Sequence, residues 1–167
     1  MVTVEMDASG QQWFDDLRRA HFPPERLVVG AHLTLFHALP ASELPRIRAD
    51  LAATARRPCP TMRVTGVRFL GRGVAYEVTA PEVAQLRNPL VRDWEAVLTP
   101  QDRQPFRPHV TVQNKVDPHT ARALHEQLAA QLVPFGVVAE GLALWRYRGG
   151  PWELAQRYPF GDGLRAC

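Results

Sequence analysis

An α+β fold of two similar lobes, each an antiparallel-type sheet flanked by helices, facing one another across a central cleft, is what this 167-residue chain predicts. Three observations carry that expectation. Two short apolar stretches, His32-Leu33-Thr34-Leu35 and His109-Val110-Thr111-Val112, each hold a histidine and a threonine two positions apart. Each stretch is followed by the same order of patterns, a helical stripe and then two alternating runs. The length suits one domain with a real core and also accommodates two small lobes that share a groove, so residues 1–167 read as a single bilobal domain with pseudo-symmetric lobes.

The elements follow in order. After an apolar start at residues 2–6, residues 11–21 carry Trp13, Phe14, Leu17 and Ala20 at helical spacing, with Ser9 as N-cap. Pro23 and Pro24 end that helix. Residues 27–39 run apolar with His32, Thr34 and His37 embedded, and the flanking prolines make this a strand. Ser42 caps a second helix whose stripe is Leu44, Ile47, Leu51 and Ala55, stopped by Pro58 and Pro60. Residues 62–70 and 74–79 alternate around Gly71-Arg72-Gly73, a hairpin with arginine at its tip. Val83, Leu86, Leu90, Trp94 and Val97 share a helical face that Pro89 is expected to kink or split. A polar, proline-rich loop at 99–108 delivers the chain to the second His-x-Thr stretch. Asp117-Pro118 starts another helix with Ala121, Leu124, Leu128 and Leu132 as its stripe. Residues 137–147 and 152–158 close the chain as two strands around Gly149-Gly150.

Composition narrows the function classes without choosing one. A hydrophobic share of 46% and a charged share of 22% are those of an ordinary globular protein. A formal charge of +3 with a pI near 9.3 fits an anionic partner but does not demand one. Cys59 and Cys167 offer no framework that would replace a core, and a cytoplasmic location is expected. There is no basic-then-apolar leader and no run of eighteen apolar residues, so no membrane insertion is expected.

The chemistry lies in the two motifs. On an extended strand, residues two apart share a face, so each stretch presents an imidazole beside a hydroxyl while Leu or Val turns the other way. Histidine takes and gives protons near neutrality, and two of them across a cleft divide the work of general base and general acid. A threonine hydroxyl on the same face donates to an oxyanion. Four such groups, with no carboxylate among them, suit a phosphodiester, whose two non-bridging oxygens must be held while one oxygen enters and another leaves.

The paired motifs resemble those of the 2H phosphoesterase superfamily, specifically the bacterial 2′-5′ RNA ligase-like or RNA 2′,3′-cyclic phosphodiesterase proteins. Both tetrapeptides are complete forms of that family's His-x-Thr/Ser-x signature, and size, duplicated order and motif separation agree over most of the chain. The resemblance implies a bilobal fold and metal-independent, cofactor-free opening of a 2′,3′-cyclic phosphate on an RNA end or small nucleotide, or its reversal as 2′-5′ ligation. His32 and His109 would then be catalytic, Thr34 and Thr111 would hold phosphate oxygens, and a monomer is expected. Arg107, two residues before His109, is the candidate phosphate-binding cation. Phe36 and Tyr147 are candidates for base contacts, with Tyr76 and Trp145 as further aromatic positions and Arg72, Arg146 and Arg148 as arginines able to reach RNA. His37 is expected to face away from His32, and His21, His119 and His125 to lie on the surface or at caps. No His-x-x-x-His or His-Glu-x-x-His is present, and no metal site is expected. The alternatives are an RNA-end or nucleotide-binding protein without turnover, and a phosphodiesterase for a small non-RNA cyclic phosphate or a 2′-5′ oligoadenylate.

Overall fold

The computed structural model describes residues 1–147, 149 and 151–161; Arg148, Gly150 and Cys167 lie outside them. The elements are β1 (Val2–Met6), α1 (Ala8–His21), β2 (Leu33–Phe36), α2 (Leu44–Thr54), β3 (Thr61–Phe69), β4 (Gly73–Thr79), α3 (Pro81–Asp93), β5 (His109–Asn114), α4 (Pro118–Gln131), β6 (Phe135–Arg146) and β7 (Glu153–Pro159). Single 3-10 turns occupy Pro24–Arg26, Ala41–Glu43 and Glu95–Val97. No helix among the described residues is long and apolar enough to cross a membrane.

The strands lie in the order β1-β2-β5-β4-β3-β6-β7, with β1 also pairing to β6, so six of them close into a circuit and β7 is an addition outside it. Every pairing is antiparallel. Exchanging β1, β2 and β3 for β4, β5 and β6 preserves the circuit: β1–β2 becomes β4–β5, β1–β6 becomes β4–β3, and β2–β5 and β3–β6 map onto themselves. The sheets of the two halves are thus continuous with one another. At the β2–β5 seam they meet in a single residue pair, Leu33 opposite Val110.

The core forms on the face that the motif histidines do not use. Leu33, Val110, Val4, Tyr76 and Leu142 occupy matching register positions across β2, β5, β1, β4 and β6, and all are buried. Helical stripes supply the opposing residues, Phe14 from α1, Ile47 and Leu51 from α2, Val83, Leu86 and Leu90 from α3, and Leu124 and Leu128 from α4. Each large aliphatic or aromatic side chain so buried contributes about 1.5–3 kcal/mol. The β3–β4 hairpin depends on two glycines: Gly71 has φ +81°, and a Cβ on Gly73 would overlap the Gln113 carbonyl.

Several boundaries differ from the sequence expectation, each for a local reason. The N-cap of α1 is Asp7, whose carboxylate accepts from Gly10 N at 2.9 Å and, through its other oxygen, from Val138 N at 2.6 Å; Ser9 lies inside the helix. The strand expected over 27–39 shrinks to four residues, because a proline-started turn precedes it and a polar anchor at residue 37 ends it. Ser42 sits in a 3-10 turn, and α2 begins after Glu43 without a side-chain cap. Pro89 does not split α3, which runs on to Asp93; the proline is exposed, so the carbonyl it leaves unpaired faces water.

Candidate active site

Antiparallel register assembles the site. With Leu33 opposite Val110, the residues one step away fall across from one another, His32 facing Thr111 and Thr34 facing His109, all four on the face opposite the core. Directly opposed residues have Cβ atoms about 4.5–5.5 Å apart and diagonal ones about 7–8 Å, so the two imidazoles flank a threonine pair. All four side chains are partly accessible, whereas Leu33 and Val110 are sealed.

The two histidines are held alike. His32 Nδ1 lies 2.8 Å from the Gly30 carbonyl, and His109 Nδ1 lies 2.8 Å from the Arg107 carbonyl, each two residues upstream. A carbonyl only accepts, so Nδ1 carries the proton in both rings and Nε2 is left without that proton. Burial pushes His32 below the usual imidazole range. The Gly30 carbonyl opposes that shift, and the like charges of Arg18, His109 and His37 reinforce it. Arg18 supplies fixed positive charge beside a buried imidazole, so the cleft suits an anion better than a further cation.

Two buried arginines from corresponding helices fix the motif strands. Arg18 of α1 donates from Nε to the Val29 carbonyl at 3.1 Å and from Nη1 to the Thr111 carbonyl at 2.7 Å, joining the approach to one motif to the body of the other. Arg87 of α3 donates from Nε to the Leu35 carbonyl at 3.1 Å and from Nη2 to the Asp102 carbonyl. Burial lowers the pKa of both; Asp15 opposes that for Arg18 and Asp102 for Arg87. A glutamate–arginine pair stands beside each motif on the same face: Glu77 across from His109, bound to Arg68 at 3.0 Å, and Glu5 on β1, bound to Arg157 of β7 at 2.6 Å.

Two cavities open beside the motifs. One of about 510 Å³ is lined by His32, Thr3, Glu5, Gln11, Trp145 and Arg157 among others. A smaller one of about 130 Å³ is lined by Thr34 and His109 together with His37, Arg68 and Arg107. The larger reaches only one of the four motif residues, so the register at the seam, not cavity size, locates the centre.

The other sequence candidates divide. Arg107 is exposed, its carbonyl holds His109, and its side chain lines the smaller cavity. Tyr147 is 60% exposed with its ring 5.0 Å from that of Trp152. Phe36 is a correction. It is 0% exposed beneath Arg87 and packs on Trp94, because α3 covers the end of β2, so it does not offer a face to a base. Tyr76 is likewise buried on the core face, where burial pushes its phenol up to about 12, whereas Trp145 lines the larger cavity and donates to Thr3 Oγ1 at 2.8 Å. Trp13, on the apolar stripe of α1, is 37% exposed at the edge of an aromatic cluster with Phe14, Tyr76 and Phe135. Arg72 donates to the Val116 carbonyl at 3.2 Å. His37 does not turn away as strand alternation predicts: β2 ends at Phe36, and the ring lies on Asp102 in the wall of the smaller cavity. Among the described residues, no three His, Cys, Asp or Glu side chains gather as a metal cluster.

The same fold occurs in solved structures. TT0787 of Thermus thermophilus superposes with a TM-score of 0.68 at 18% identity over 98% of both chains. E. coli LigT in complex with 3′-AMP gives a TM-score of 0.61 at 20% identity over 95% of both, and a further phosphoesterase gives 0.57 at 19% identity over 96% of both. No curated relative matches the chain by sequence. These likenesses define the class, an α+β phosphoesterase fold. The sequence itself matches the family model of the 2′-5′ RNA ligase superfamily over residues 6–151, and the chain belongs to that superfamily, the 2H phosphoesterases.

Proposed function

We propose that the protein opens 2′,3′-cyclic phosphates of RNA ends or nucleotides by acid–base catalysis between His32 and His109, and that the reverse reaction joins such an end in a 2′-5′ linkage. The observation that carries this reading is the matched pinning of both imidazoles through Nδ1, which aims two Nε2 atoms at the face where Thr34 and Thr111 lie. One Nε2 takes a proton from water as its oxygen bonds to phosphorus. The P–O bond to one ribose oxygen breaks, and the other imidazolium gives that oxygen its proton. The product is a phosphate monoester, with one water consumed. Thr34 and Thr111 donate to the non-bridging oxygens, and Arg107 adds positive charge beside His109.

A cavity of about 510 Å³ beside His32 falls within the range of roughly 300–1,000 Å³ common for ligand pockets, and it gives a nucleoside room. LigT's complex with 3′-AMP supports a ligand of that size. Both motifs come from one chain, so a monomer suffices, and we read that chain as one bilobal unit. Tyr147 would stack on a base beyond the first nucleotide.

The test is turnover of a nucleoside 2′,3′-cyclic phosphate in the presence of a chelator. Hydrolysis to a monophosphate is expected. Binding without turnover would instead favour a nucleotide-binding protein, and turnover confined to non-RNA cyclic phosphates would move the substrate class.

A further inference from the structure

We propose that the small cavity beside His109 is a second anion subsite, which takes the phosphate on the 5′ side of the ribose whose cyclic phosphate is opened, with His37 as its positioning residue. This rests on the function proposed above and narrows its substrates to nucleotides with two phosphates, either 5′-phosphorylated or joined through that phosphate to a preceding nucleotide.

Size, charge and construction agree. At about 130 Å³ the cavity lies well below the range of nucleoside-sized pockets and admits a phosphoryl group. Its lining includes His37, Arg107 and Gln101 as donors, Arg68 paired to Glu77, Arg87 bound to two carbonyls, and one carboxylate, Asp102. That carboxylate is committed. Asp102 is 1% exposed; its Oδ1 accepts from His37 N at 2.8 Å and faces His37 Nδ1 at 2.9 Å, and its Oδ2 accepts from Ala38 N at 3.1 Å and Thr99 Oγ1 at 3.0 Å. An anion entering the cavity therefore meets donors, not an open carboxylate.

The anchoring also orients the ring. Nδ1–H donates to Asp102, which leaves Nε2 on a side chain 43% exposed, pointing away from the buried carboxylate, and it is the imidazolium form, with both nitrogens protonated, that donates Nε2–H to the anion. A carboxylate-backed imidazole with one free nitrogen is the arrangement found where a histidine must hold a fixed direction. Arg87 is already spent on two carbonyls and braces the floor, with Phe36 and Phe106 rings 5.0 and 5.1 Å from its guanidinium. Thr34 and His109 form the wall shared with the seam, so an anion here would be a neighbour of the reacting phosphate.

Calorimetric titration with adenosine 3′-phosphate and adenosine 3′,5′-bisphosphate tests this without turnover. The wild type is expected to bind the bisphosphate at least about tenfold more tightly, as a charge-assisted contact gives. His37→Gln, which keeps a donor for Asp102, should cut that advantage to under about threefold. Affinity for the monophosphate shows in the same titrations that His37→Gln is folded, and a thermal melt like that of the wild type shows it for Arg107→Ala, whose arginine also borders the reacting phosphate. Equal affinities in the wild type would overturn the subsite, as would a tenfold advantage that survives in both His37→Gln and Arg107→Ala. Failure of the wild type to bind either compound would instead strike the functional reading on which the subsite rests.

Discussion

His32 and His109 share a hydrogen-bond pattern, and His32 is drawn below the ordinary imidazole range chiefly by burial, with the charge of Arg18 adding to it. Asp102 shows the opposite balance. Burial pushes its carboxyl up, yet the hydrogen bonds from His37, Ala38 and Thr99 outweigh that and hold it at about 2, against an ordinary 3.8. A carboxylate whose pKa is depressed by folding stabilises the fold above its unfolded pKa and loses that contribution as pH falls through the folded value. Asp102→Asn should therefore cost on the order of 2 kcal/mol in urea unfolding at pH 7. The gap between variant and wild type should close between about pH 4 and pH 2. The two motifs were legible only as a pair, because a single histidine and threonine two apart in an apolar run is ordinarily just a half-buried stretch of strand. Asp102 was not, since its partner lies 65 positions away and no local pattern marks a buried carboxylate in a loop.

At the scale of elements, the helices were legible in their stripes and the strands in their alternation, while the ends shifted wherever a side chain formed a distant bond. Arg18 is the instructive case. It falls on the same face of α1 as Phe14, four positions earlier, and a periodicity reading passes over an arginine there. That interruption of an apolar stripe was the available signal. Arg18→Met should lose two hydrogen bonds from a charged donor, each about 1.5–3 kcal/mol, and lower the midpoint of thermal unfolding. Because the Val29 and Thr111 carbonyls flank different motifs, kcat should also fall in variant protein that is still folded, measured well below its melting temperature.

For the whole molecule, the pairings that survive exchange of the two halves support a duplicated β-α-β-α-β unit, which we propose as the origin of the cleft. The repeated order of patterns pointed to a repeat but misplaced its boundary: the β3–β4 hairpin read as part of the first half spans both, and β7 lies outside the circuit. The circuit closed by β1 and β6 was not legible, because a strand's pattern tells which face it buries and not which strand lies beside it. Opposite placement of the motifs at the Leu33–Val110 seam follows from that circuit, and we propose that it lets the two histidines act together. Their cooperation on one phosphorus is the central claim, and a double-mutant cycle on turnover of a nucleoside 2′,3′-cyclic phosphate measures it directly. His32→Ala and His109→Ala should each lower kcat by about 10²–10⁴-fold. The double variant should be little worse than the poorer single one, since neither histidine works without the other. Retention of most activity in either single variant, or losses that multiply in the double, would contradict the account.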